Sequence, residues 1–391
     1  MNKQKTPPQN SGFRKHLPLF LLYLFSIILF IAAYYLVKPA PEEHIAAEEY
    51  AEYETGTVTM ILSDSTWQDA YSDNSWRGEQ LLIVEVTSGQ YKGQSMQVSN
   101  YVGPLYSVPL KVGDSAVLII STYKDGSHLG TVYEYNRLVP ILIVIGLFVL
   151  ATVAVGGKTG AKSLVGLLIT LASLFYILIP ALMKGAPTLF TTFLVCAYIT
   201  VVSLAILGGL STKTICAMLG TISGTGLAMI FGLISQNLLR ISGMRIPDAE
   251  ALLQLQQTGT PIRISGLLVA GVIISALGAV MDVAMSISSA LTEVLAANPS
   301  LSCKDLIRSG MNIGRDMVGT MTNTLILALL GSSTVLIIYL YSLSLSSNQF
   351  ISSSYLAIEV VSSISSSIGV ILAVPVTVLI SSFALTYQKI K

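Results

Sequence analysis

Residues 276–291 read ALGAVMDVAMSISSAL, and one carboxylate, Asp282, stands inside that apolar run. The nearest charge in sequence is Glu293, which has the same sign. An ionised carboxylate in hydrocarbon costs on the order of 2.5–3.5 kcal/mol even on lenient insertion scales. Composition decides whether hydrocarbon is the right medium. Hydrophobic residues make up 52% of the chain, charged residues 11%, and the mean hydropathy is +0.70. Soluble domains carry about 25% charged residues, so the class is a polytopic membrane protein.

Working outward, apolar runs of spanning length, or close to it, occupy 17–37, 138–155, 163–183, 187–210, 214–234, 264–291, 317–341 and about 355–386. That predicts about eight transmembrane helices. The first run follows Arg14 and Lys15, but its apolar core is longer than that of a signal peptide. It is read as an uncleaved signal anchor over 17–37, behind a cytoplasmic tail over 1–16. With that tail inside, twelve Lys and Arg residues fall in cytoplasmic connections and six in membrane-proximal outer ones. Basic residues favour the inner side, so both termini are expected in the cytoplasm of a bacterial cell.

This topology puts 38–137 outside the cytoplasm and 138–391 in a seven-helix membrane domain. The outer segment opens on the acidic PEEHIAAEEYAEYETG and then changes character. LLIVEV, QSMQVSNYV and SAVLII are strand-like, and TSGQYKG, KVGD and KDG between them are turn signals. A Gly-Asp turn feeding a strand is common in small barrels of the OB kind, so a small β-barrel or sandwich is expected. His44 and Glu48, four apart, suit a metal only on a helix, and a solvated linker explains them as well.

Enzyme motifs fail on inspection. VGGKTGAKS lacks the first glycine of a phosphate-binding loop, because Thr152 stands there, and no strand precedes it. GTISGTGLAMIFG has Met229 where GxGxxG needs its third glycine. Cys196, Cys216 and Cys303 form no CxxC pair, which argues against both disulfides and zinc. The histidines, His16, His44 and His128, are scattered. The net charge of +1 offers nothing to a nucleic acid. No enzymatic activity, cofactor or metal is expected.

The informative residues lie inside the membrane. Gly220, Gly224, Ala228 and Gly232 recur every four residues and read as a packing surface for a neighbouring helix. Gly271, Ser275, Gly278, Asp282, Ser286, Ser289 and Glu293 stay within about 40° of one line on the run 264–291. Asn312, Asp316, Gly319 and Asn323 make a similar line on the next helix if that helix begins before the bilayer, and Glu359, Ser363 and Ser366 align on the last, with Ser362 and Ser367 flanking. Pro375 is expected to kink that last helix. The candidate intramembrane polar site is Asp282, Ser286, Asn323 and Glu359, with Asp282 and Asn323 at similar depth and Glu359 towards the outside. Arg315 and Asp316 form a candidate cytoplasmic-side polar corner. Asp282 is either a cation or proton site or a buried polar anchor between helices. NPSLSCKDLIRSGMNIGRD, with Ser302 and Asp305 as a capping pair, is expected as a separate amphipathic helix on the inner leaflet or in solvent.

GAVMDVAMSISSALTE, GMNIGRDMVGTMTNTLILALLG and SSIGVILAVPVTV resemble characteristic segments of the YibE/F family of bacterial membrane proteins, over about residues 40–386. The N-terminal anchor and outer domain resemble the longer, YibE-type member. The resemblance implies several spanning helices, the bilayer as partner and often a shorter membrane protein of the same family; it supplies no activity. Two functions are consistent with the residues. One is a permease or ion-coupled transporter passing Asp282 and Asn323. The other is a non-transporting assembly or sensory protein acting through the outer domain.

Overall fold

The computed structural model describes residues 27–28, 30–35, 51–122, 128–241 and 249–390. Contacts divide the chain into two units, Ala40–Thr152 and the remainder. His44, Glu48 and most of the expected signal anchor lie outside the described residues.

In the first unit, apolar residues at alternate positions build the strands. They are β1 (Ala51–Asp64), β2 (Trp67–Asp69), β3 (Ser75–Val86), β4 (Ser95–Val102), β5 (Ser115–Thr122) and β6 (His128–Tyr135). Leu82, Val84 and Val86 on β3, Val98 and Val102 on β4, and Ala116, Leu118 and Ile120 on β5 all point inward. The sheet order is β1-β5-β6-β4-β3, and β1 also pairs with β3, which closes five strands into a barrel with β2 appended. Every pairing is antiparallel except β4 with β6. That order with one parallel pair is the OB topology. β1 can serve two neighbours because its register with β3 shifts twice, between Val58 and Met60 and between Ile61 and Ser63. The acidic stretch of the sequence therefore ends inside β1, where Glu52 and Glu54 sit on the strand.

A buried amide network holds one end of the barrel. Asn100 Nδ2 donates to Gln80 Oε1 (2.9 Å) and to the Val108 carbonyl (3.0 Å). The Leu110 N–H also donates to Gln80 Oε1 (2.8 Å), and Gln80 Nε2 donates to Asp64 Oδ2 (2.8 Å). Together these bonds fix the connection between β4 and β5 to the barrel wall.

The helices are α1 (Leu138–Ser173), α2 (Ile179–Met183), α3 (Thr188–Gly208), α4 (Thr212–Leu238), α5 (Ala249–Gln257), α6 (Leu267–Ala297), α7 (Cys303–Ser332), α8 (Thr334–Ser342), α9 (Ser347–Ile351) and α10 (Ser354–Ile390). A π-helical turn, Leu174–Leu178, joins α1 to α2. Among the described residues five helices are long and apolar enough to cross a membrane, or six when α7 and α8, bent by 57°, count as one. The expected runs 138–155 and 163–183 are joined in the helical stretch Leu138–Met183. Gly157 alone leaves helical geometry there (φ 52°, ψ −133°), so the loop expected at VGGKTGAKS contracts to a single residue. VGGKTGAKS itself holds no proline to break the helix further.

One further expectation is corrected. The amphipathic segment before the seventh run is not a separate surface helix: it is the first half of α7, opened by a Ser302–Asp305 capping box. Leu306, Gly310 and Gly314 turn into the bundle, where an added Cβ on Gly310 would meet Val378 and Leu291, and one on Gly314 would meet Val374. α10 carries Pro375 within its helical span.

The core of the bundle is the mutual packing of α4, α6 and α10, flanked by α3 and α7. Its tightest part is the α4–α10 seam. A Cβ on Gly220 would lie 2.1 Å from Thr377 Oγ1, one on Gly224 2.6 Å from Ala373 Cβ, and one on Gly369 2.6 Å from Ala228 Cβ. The packing surface expected on 220–232 is thus matched by an antiparallel small-residue row, Gly369, Ala373, Thr377 and Ser381.

Candidate functional site

The heptad geometry of α6 separates two faces. Val272, Ala276, Val280, Val283, Ile287 and Leu291 are buried in the core. Gly271, Gly278, Asp282, Ser286 and Glu293 fall on the opposite side and are exposed. A Cβ on Gly271 or Gly278 would meet nothing within 4 Å. The polar line of the sequence is therefore the open face of α6. Its edges are tied down: Ser275 Oγ shares a hydrogen bond with Ser366 Oγ on α10 (2.7 Å), and Ser288 Oγ donates to the Lys213 carbonyl on α4 (2.6 Å). These two bonds orient the helix so that Asp282 faces away from α4 and α10.

α7 repeats the arrangement. Leu306, Gly310 and Gly314 are buried, whereas Asn312, Asp316, Gly319 and Asn323 are exposed, and a Cβ on Gly319 would meet nothing. Arg315 donates from Nη1 to Asn312 Oδ1 (3.2 Å) on its own helix, and no ion pair to Asp316 occurs among the described residues. Glu359 is half-buried near the start of α10. No hydrogen bond joins any two of Asp282, Ser286, Asn323 and Glu359 among the described residues. The candidate site is thus an open polar surface on two helices, with Glu359 on a third, and no group of three or more possible metal ligands occurs among the described residues.

The sequence reading named Ser362, Ser363, Ser366 and Ser367 on α10 but passed over its other buried hydroxyls. Ser365, Thr377 and Ser382 are fully buried, and their side-chain oxygens, like those of Ser363 and of Ser203 on α3, have no hydrogen-bond partner. Such groups are rare in a finished core. The signal was the density of hydroxyls in VSSISSSIG and LISS, which hydropathy averages away. Chemically, Asp282 with Ser286 one turn on offers a carboxylate and a hydroxyl to a cation or proton.

Residues 144–387 match the family described as YibE/F-like protein. The chain belongs to the YibE/F-like family. The match takes in most of α1 and every helix up to the last residues of α10, but not the barrel, so it is narrower than the resemblance over 40–386. No curated protein and no solved structure matches the chain. As a YibE/F-like protein with several apolar helices, it is membrane-embedded, and the family carries no assigned activity.

Proposed function

We propose that this YibE/F-like protein is one subunit of an ion-coupled permease in the bacterial cell membrane, its polar pathway lying along the open face of α6. One observation carries the reading. From Gly271 to Glu293 the exposed stripe is about 33 Å long at 1.5 Å per residue, against about 30 Å for a hydrocarbon core. Lipid is a poor cover for a carboxylate at that depth, and ionisable groups there commonly line an ion route. A shorter membrane protein of the same family is the proposed second wall. In this arrangement both termini are cytoplasmic and the barrel is extracytoplasmic, as the basic-residue balance supports.

A second reading, a non-transporting assembly or sensory protein, draws support from the close packing of α4, α6 and α10, which leaves no room for a methyl group at Gly224 or Gly369. Reconstituted vesicles with a pH-sensitive or cation-sensitive dye separate the two. Flux is expected from the protein co-reconstituted with its partner and lost in Asp282→Asn, which keeps size and hydrogen bonding. Should Asp282→Asn match the native protein in every flux assay while Asp282→Leu misassembles, Asp282 is a packing anchor and the permease reading falls.

A further inference from the structure

We infer that the barrel carries a binding cleft for a neutral oligosaccharide, independent of the permease reading. β4 and β6 pair only at Val98–Gly130 and Ser99–Thr131. Beyond Ser99 and Thr131 that pairing ends, and a cleft of about 750 Å³ lies where it does, within the size range of small-molecule sites. Trp76 from β3, Tyr101 from β4, Tyr106 from the following connection and Tyr133 from β6 line it. Each ring keeps 44–74% of its surface free, although the barrel core beside them is fully packed. Tyr133 is braced edge-on by Tyr53, with ring centroids 5.4 Å apart. Tyr106 is held by the same connection that Gln80 and Asn100 pin, so the platform is preorganised.

Aromatic faces with a polar rim suit ligands that are apolar on one side and hydroxylated on the other. Two buried cleft atoms, Ser75 Oγ and Glu134 Oε1, have no hydrogen-bond partner. The other carboxylate oxygen of Glu134 is taken by Arg137, also at the cleft. Ser75 Oγ can donate or accept and Glu134 Oε1 accepts, so both suit hydroxyl partners. Sugar hydroxyls supply these; proline-rich segments, the other usual occupants of aromatic grooves, lack the N–H groups. Strand addition at β4 is obstructed, because the Ser107 N–H already donates to the Tyr101 carbonyl (3.3 Å). Residues 51–137 hold ten acidic against five basic side chains, which disfavours polyanionic ligands. Barrels of this topology bind oligosaccharides or oligonucleotides on the second and third strands. Here those strands provide Trp76 and Tyr101, while the remaining rings come from the connection after β4 and from β6.

The chain has two tryptophans, so Trp67→Phe leaves Trp76 as the sole reporter in the full-length protein. Titration of that variant in detergent with chitotetraose, cellotetraose and maltotetraose is expected to shift Trp76 emission to the blue for at least one sugar. Tyr133→Ala, added to it, is expected to weaken that response about tenfold while the barrel still unfolds in one cooperative transition above the assay temperature, and Glu134→Gln to weaken it several-fold. The inference is overturned if none of the three sugars moves the emission, if a proline-rich decapeptide does so in their place, or if Tyr133→Ala leaves the response unchanged.

Discussion

Replacing Gly369 by alanine tests the α4–α10 seam. The new methyl would sit 2.6 Å from Ala228 Cβ and 3.2 Å from the Gly224 carbonyl oxygen. Carbon atoms pack at about 3.5–4.0 Å, so the helices must separate by roughly 1 Å along a row with no slack. Overpacking of this size costs about 1–3 kcal/mol and here belongs at the upper end. Alanine regains about 1 kcal/mol of helix propensity over glycine, which leaves a net loss of about 2 kcal/mol. The informative partner is Ala228→Gly. Alone it loses about 1 kcal/mol of propensity and a buried methyl; combined with Gly369→Ala it moves the methyl from one helix to the other and cancels the propensity terms. The double variant is therefore expected within about 0.5 kcal/mol of the native protein, with a favourable coupling of at least about 2 kcal/mol. Unfolding in mixed micelles with increasing dodecyl sulfate, followed by helical circular dichroism, measures all four corners. A tolerated Gly369→Ala, or a double variant no better than the single, refutes this account of the seam.

Both tryptophans, Trp67 and Trp76, lie in the barrel, so their fluorescence reports its unfolding alone. Gln80→Ala strands the Leu110 N–H and one Asn100 bond in the interior and should lower barrel stability by about 2–4 kcal/mol in urea. Hydrogen bonds from the Thr66 hydroxyl, the Thr66 N–H and Gln80 hold the Asp64 carboxyl below its usual value. That contribution is present above the unfolded carboxylate value and is lost as pH falls through the depressed folded one, so Asp64→Asn should flatten the acid side of the barrel's stability profile; an unchanged profile counts against it. Cys303 is partly exposed whereas Cys196 and Cys216 are buried. An impermeant maleimide should therefore modify Cys303 quickly in inside-out vesicles and not in intact cells, with the other two slow from both sides; rapid labelling in intact cells reverses the topology.

Much of the bundle was legible because period and depth are local properties. The four-residue row from Gly220 to Gly232 announces a seam on its own. Its partner was harder to see, because Gly369, Ala373, Thr377 and Ser381 mix four residue types with one spacing. The line through Asp282 was found, but a helical period cannot say which side faces a core. Val280, Ile287 and Leu291 decide that only once α4, α7 and α10 are in place. The charges from Lys304 to Asp316 suggested a surface helix, yet Gly310 and Gly314 admit Val378 and Val374 of α10, contacts 68 and 60 residues distant in sequence. In the barrel the individual strands β3, β4 and β5 could be read. The parallel β4–β6 pairing that helps close them could not, since only two residue pairs carry it.

The interlock between α4 and α10 also limits how the bundle can move. Sliding one helix by a single residue displaces it about 1.5 Å and brings methyl groups where glycines had been, and the next register that meshes is about 6 Å away. The two helices therefore travel as one rigid strut, carrying α6 with them through Val280 against Gly224. Under the permease reading, a working stroke must be absorbed elsewhere. The bend at Ser333, where α7 gives way to α8 at 57°, is the joint best suited to it.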